Sequence, residues 1–158
     1  MNSHEIEKYF LTSINDCFYC NYILNHNELM TIRLNRWYKS EMSIKKIDQT
    51  ISNLNLLDRE VVLKTKNREC ILANIRIHLN NLSSHVSKII INSNEPFGKV
   101  IHDNKVEVKI RGVKIFSFNN QDLDSRRIRC RHLMSYGRTC RIVDDNNNTL
   151  AEVCEYVI

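Results

Sequence analysis

Three charged side chains interrupt apolar patterns where they are costly to place. The stretch LLDREVVL, residues 56–63, reads as a β-strand, whose side chains alternate between two faces. One face carries Leu57, Arg59, Val61 and Leu63, and the other carries Leu56, Asp58, Glu60 and Val62. The first face is apolar except for Arg59. A guanidinium cannot escape burial by losing its proton, and burying it unpaired costs several kcal/mol. Arg59 therefore needs a carboxylate, from the protein or from a ligand, unless its stem is buried and its head reaches water. The sequence leaves both open.

The segment LAEVCEYVI repeats the pattern. Ala151, Val153 and Val157 share a face with Glu155, whereas Leu150, Cys154 and Tyr156 share the other with Glu152. Parity alone does not choose between the two glutamates. Arg138 sits between Tyr136 and Cys140 on a third such segment. Two inward arginines and an inward glutamate on neighbouring strands form either a structural ion-pair network or the lining of a closed anion pocket.

The elements that must position these groups follow from periodicity. Residues 4–20 carry Ile6, Phe10, Ile14, Cys17 and Phe18 at helical spacing behind a Ser3 cap, which predicts a helix. Residues 28–38 alternate Met30, Ile32 and Leu34 against Thr31, Arg33 and Asn35, which predicts a strand. SIKKIDQTIS is polar and reads as a loop or a short helical turn. Strands at about 55–65 and 70–79, joined by Lys66-Asn67-Arg68, read as a hairpin. SSHVSKIIINS reads as a short helix with Val86, Ile89 and Ile90 on one side, ending in the turn NEPFGK. Further strands are expected at about 105–118, 126–133, 136–143 and 149–158. Helices do not alternate with strands, so the expected class is α+β: one mainly antiparallel sheet of about six strands with helices packed on it.

Composition narrows the function classes. The 158 residues fit a single domain over 1–158 with a real core. No apolar run approaches the ~20 residues that span a bilayer, and the start lacks the basic and apolar regions of a signal peptide. A cytoplasmic location is expected, or the plastid stroma for an organellar chain, with no membrane partner. Cys17 and Cys20 form a lone C-x-x-C without the second pair that structural zinc requires, so the six cysteines read as buried free thiols and no metal is expected. The six histidines show no ligand spacing and read as surface or turn residues. The net charge of +5 is uneven, with six arginines and no acid between Arg126 and Arg141. That favours an anionic partner. Aromatics are sparse there and no RNA-binding signature occurs, so a small polyanion is expected rather than nucleic acid. Nucleotide-cradling glycine loops, H-E-x-x-H and G-x-S-x-G are all absent.

Four stretches, in order, carry a family resemblance. LLDREVVL is similar to the L-x-R-E-V-x-L strand of the chorismate lyase (chorismate pyruvate-lyase) family. NEPFGKVI resembles its P-L-G-x-x-L turn, YGRTCRIV its arginine-bearing strand, and LAEVCEYVI its terminal I-x-E-x-F strand. Together they span roughly residues 10–158 and resemble the archaeal, cyanobacterial and plastid branch of the chorismate lyase/UTRA-like superfamily. The resemblance implies an antiparallel sheet enclosing a ligand pocket. It also implies a reaction without metal or organic cofactor, from chorismate to 4-hydroxybenzoate and pyruvate; whether as a monomer or a homodimer the sequence leaves open. Carried over, Arg59 would bind the ring carboxylate, and Glu155 would face the ring hydroxyl and the breaking ether, with Glu152 as the alternative. Phe97 stands where relatives have a leucine against the ring, and a backbone amide at Phe97-Gly98 would help hold the carboxylate. Arg138 is the second choice, for the enolpyruvyl carboxylate. The same superfamily holds UTRA domains, which bind small effectors without turning them over, and a non-catalytic binding module is the alternative function.

Overall fold

Strands β1 (Tyr9–Leu11), β2 (Ser43–Ile51), β3 (Leu56–Lys64), β4 (Glu69–His78), β5 (Lys109–Asn119), β6 (Met134–Val143) and β7 (Thr149–Val157) form one sheet. Its order is β1-β5-β6-β7-β4-β3-β2, and every neighbouring pair is antiparallel. Four α-helices accompany it: α1 (Phe18–Leu24), α2 (Met30–Tyr38), α3 (Ser84–Asn92) and α4 (Phe97–Asp103). This computed structural model describes residues 8–119 and 134–158. The expected α+β class holds, with seven strands rather than six among the described residues. The expected strand at 126–133, the arginines at 126, 127, 129 and 131, and the Ser3 cap all lie outside the described residues. None of the described helices is long and apolar enough to cross a membrane.

The helices pack on one face of the sheet, where two apolar clusters meet. One gathers Ile23, Leu24, Met30 and Leu34 of α1 and α2 over Val61, Leu63, Ile71 and Ala73. The other gathers Val86, Ile90, Phe97 and Ile101 of α3 and α4 over Leu57, Ile75, Ile77, Ala151 and Val153. The opposite face carries a smaller cluster of Val62, Leu72, Phe116, Phe118 and Tyr156. Alternation therefore sends Arg59, Glu155 and Arg138 to the helix-covered face. Gly137 answers to the crowding on the other side: a Cβ there would stand 2.5 Å from the Glu155 carbonyl oxygen and 2.5 Å from Phe116 Cζ.

Register fixes the distances between these groups. Arg59 pairs with Ile75, which pairs with Val153. One pleat along, Val61 pairs with Ala73, Ala73 with Glu155, and Glu155 with Arg138. Ala73 is thus the smallest side chain in the floor between Arg59 and Glu155, and it leaves room above itself.

The structure departs from the sequence reading at four places. Residues 9–11 are an edge strand on β5, not helix, and Phe10 is 62% exposed against the edge of Phe116. The helix begins only after Cys17, whose Sγ caps it. Residues 30–38 are helix, not strand. Met30, Thr31 and Leu34 are buried, a helical spacing that the apparent alternation happens to contain. Residues 43–51 are a strand, polar because β2 lies at an edge with β3 as its one partner. A bulge between Lys46 and Asp48 breaks its alternation. Ile44, Lys46, Gln49 and Ile51 pair with Leu63, Val61, Arg59 and Leu57, so all four share the helix-covered face. Finally, the NEPFGK turn leads straight into α4, with Pro96 as its N-cap. The 56–64/69–78 hairpin and the helix over 84–92, capped by the Ser83 hydroxyl, stand as expected.

Candidate functional site

Arg59 is 3% exposed and has no carboxylate partner among the described residues. Its Nε donates to Gln49 Oε1 at 2.9 Å, and its Nη2 donates to the Ile90 carbonyl. Ile90 lies in the last turn of α3, where carbonyls have no intrahelical donor and the helix dipole is negative. Gln49 Nε2 reaches the next carbonyl, of Ile91, at 3.2 Å. Among the described residues Arg59 is therefore held by dipoles alone, and its buried Nη1 has no partner. Burial depresses its pKa. Half-buried Lys46 lies near enough that burial first, and Arg59 second, lower its pKa as well. This end of the covered face has an excess of positive charge.

Arg138 and Glu155 form the opposite arrangement, a closed pair. Arg138 is 1% exposed and Glu155 5%. Arg138 Nε donates to Glu155 Oε2 at 2.5 Å. Arg138 Nη1 donates to the His26 carbonyl at 3.1 Å and lies against the His26 ring, and Nη2 reaches the Glu28 carbonyl at 3.3 Å. Arg138 thus ties β6 and β7 to the segment that leads into α2. Its donors are spent within the protein, so it is not a free cation for a ligand. Glu155 Oε1 has no hydrogen bond among the described residues.

His26 is fixed as a neutral ring. Nε2–H donates to the Ile23 carbonyl at 2.7 Å, and Nδ1 accepts from the Glu28 N–H at 3.0 Å. Burial and the Arg138 charge lower its pKa from 6.5 to about 3. Between those values the unfolded chain binds a proton that the folded chain refuses. Stability therefore falls as pH drops through this window, with a slope of at most ~1.4 kcal/mol per pH unit for one proton, and partial solvation of the ring narrows the window rather than the slope. Urea denaturation from pH 7 to about pH 4 should show this slope, and H26Q should flatten it. An unchanged slope in H26Q would assign the acid sensitivity to other groups.

A cavity of about 50 Å³ joins these parts. Its lining includes Arg59, Ala73, Ile75, Val153 and Glu155 from the sheet, Leu29, Met30 and Thr31 at the start of α2, and Pro96, Phe97 and Gly98 at the start of α4. No side chain caps the first turn of either helix. Their amide ends and the Thr31 side chain meet at one wall. Gly98 permits the meeting, since a Cβ there would stand 2.8 Å from Thr31 Oγ1. The lining has a cationic side, a carboxylate side and apolar walls.

The fold has a counterpart among solved structures. The chain superposes on a transcriptional regulator of the GntR family from Bacillus cereus with a TM-score of 0.50, covering 75% of this chain and 92% of that one. Identity is 8%, so the likeness is one of fold alone. No family model matches the sequence, and no curated protein matches it.

Of the six residues singled out from sequence, Arg59, Phe97, Gly98 and Glu155 line the one cavity. Arg138 stands behind it as the partner of Glu155. Glu152 is exposed on the opposite face, paired in register with Arg76 and Arg141, and lies outside the cavity. Sequence reasoning missed Gln49, Lys46 and Thr31. For the first two a signal existed: a strand carrying one extra residue places Ile44, Lys46, Gln49 and Ile51 on one face. Thr31 has no such signal, because its place depends on where Gly98 comes to rest.

Proposed function

We propose that this cavity binds a small cyclic carboxylate and that the chain is a chorismate lyase, converting chorismate to 4-hydroxybenzoate and pyruvate. The observation that carries the reading is Arg59, a buried guanidinium without a counter-charge among the described residues, lining the same cavity as the buried carboxylate of Glu155. A ligand carboxylate supplies the missing charge. Charge-assisted hydrogen bonds of this kind contribute about 1.5–3 kcal/mol each. The open amides at the start of α2 and α4 and the Thr31 hydroxyl complete its seat. Phe97, Ile75 and Val153 flank the ring. Glu155, oriented by Arg138, meets the ring hydroxyl and the ether beside it.

In the reaction the C4 hydrogen leaves, the C3–O ether breaks, and the departing enolpyruvate takes up a proton as pyruvate. Aromatisation drives the step, so positioning is the main demand, and it can supply ~7–11 kcal/mol in favourable cases. Arg138 acts here as a positioning residue. Half-buried Lys46, beside Arg59 and outside the cavity lining, is a further cation suited to the second carboxylate. The resemblance implies no cofactor for this chemistry.

A second reading, a non-catalytic effector-binding module of the UTRA kind, is favoured by one observation: Glu155 is already ion-paired. In both readings the cavity is smaller than the ~150 Å³ that admits benzene in an engineered core, so a ring enters with a shift of Phe97 or of the Leu29–Thr31 turn. Mixing the purified chain with chorismate and following 4-hydroxybenzoate by chromatography decides between them. Product formation supports the lyase. No product, with saturable thermal protection by 4-hydroxybenzoate, supports the binding module. Neither turnover nor protection rejects both.

A further inference from the structure

The C-x-x-C pair has no part in the proposed site, and its geometry is that of a working pair. Cys17 is the N-cap of α1, in extended conformation at φ −141° and ψ 100°, and its Sγ accepts a hydrogen bond from the Cys20 N–H at 3.2 Å. Cys17 is half-buried, whereas Cys20 in the first turn is 8% exposed. Burial first, and then a side-chain hydrogen bond to Cys17, raise the pKa of the Cys20 thiol. The Cys17 sulfur therefore lies against the backbone of Cys20, with Cys17 half-buried and Cys20 buried. Among the described residues no group of three or more His, Cys, Asp or Glu side chains could hold a metal ion. The other described cysteines are not arranged this way: Cys70 and Cys140 are buried, and Cys154 is half-buried on β7.

We infer that Cys17 and Cys20 are a redox-active dithiol, which closes to an intramolecular disulfide by exchange with a small-molecule disulfide. Cys17, the less buried of the two, attacks as the thiolate. It forms a mixed disulfide and expels one thiolate, while the Cys20 N–H steadies charge on its sulfur. Cys20 then loses its proton and attacks Cys17 Sγ, expelling the second thiol. Two protein thiols are oxidised and one external disulfide is reduced to two thiols. The bridge needs little backbone movement, because the Cys17 sulfur already lies against Cys20, the residue it would join. The disulfide would replace the sulfur cap at the start of α1. That helix is tied at one end to β6, by the Tyr136 hydroxyl donating to Asp16, and leads at the other to His26.

The test uses the full chain in glutathione buffers from fully reduced to fully oxidised, quenched with acid, alkylated and mapped by mass spectrometry. Cys17 and Cys20 should lose their alkyl labels together, without a retained glutathione, and regain them with dithiothreitol. C20S should instead retain glutathione on Cys17. Should C20S not fold, C17S serves: Cys20 should then stay reduced through the whole series. A stable glutathione adduct on Cys17 in the parent chain, a pairing of either cysteine with another, or both thiols remaining reduced at the oxidising end would each overturn the inference.

Discussion

Replacing Arg59 by Met should abolish carboxylate binding, by 100-fold or more, and leave the folding free energy within about 2 kcal/mol of the parent. Two effects of opposite sign meet at this residue. The substitution removes the donors to Gln49 Oε1 and to the Ile90 carbonyl, and a buried acceptor left unpaired costs about 1–3 kcal/mol. It also removes a buried charge that has no counter-ion among the described residues, a burden of several kcal/mol that the C-terminal dipole of α3 offsets only in part. Binding has no such compensation, because two charge-assisted bonds to a carboxylate amount to ~3 kcal/mol or more. Calorimetric titration with 4-hydroxybenzoate, beside urea denaturation, reads both quantities. Unimpaired binding in R59M would place the ligand elsewhere.

Arg138→Met should do the reverse and destabilise the fold by about 3–5 kcal/mol, because it strands a buried carboxylate. Arg138 is fully enclosed, its ion pair with Glu155 spans 2.5 Å, and the carbonyls of His26 and Glu28 lose their donor with it. Adding Glu155→Gln to Arg138→Met removes the stranded charge and should recover part of the loss, so a double-mutant cycle by urea denaturation isolates the pair. A cost under about 1 kcal/mol for R138M would mean that water or a movement relieves Glu155. Two arginines on the same face of one sheet thus have different work. One is paired with a carboxylate, and the other has none among the described residues.

That difference was not visible in the sequence, although the inward direction of both side chains was. Strand alternation holds around Arg59, Arg138 and Glu155, so parity sent both arginines to the covered face. Parity left Glu155 and Glu152 open, the resemblance preferred Glu155, and the helices cover the face that Glu155 shares. Elsewhere short-range patterns misled for physical reasons. Met30 and Leu34 satisfy a strand's alternation and a helix's spacing of four at once, and burial of Thr31 between them was needed to decide. The bulge in β2 hid a strand whose edge position already made it polar. Helix α4, at seven residues, is too short for periodicity to announce, yet its first residues Phe97 and Gly98 form a wall of the cavity. Whether an inward arginine is paired depends on contacts such as that with Ile90, 31 positions away, which no local pattern encodes.

The place of β7 bears on how the molecule is made. In the order β1-β5-β6-β7-β4-β3-β2 it is the central strand, although it is the last element along the chain. A nascent chain that has not yet reached residue 149 can form the β2-β3-β4 meander and the β5-β6 pair, but no strand pairing joins them. Arg138 is then an unmatched charge and Ala73 faces no neighbour on that side. Synthesis of Thr149–Val157 closes the sheet, neutralises Arg138 and completes the cavity together. The Arg138–Glu155 pair and the cavity thus both wait on β7, and a chain cut before residue 149 carries two sheet fragments with open edges, a form exposed to aggregation and proteolysis.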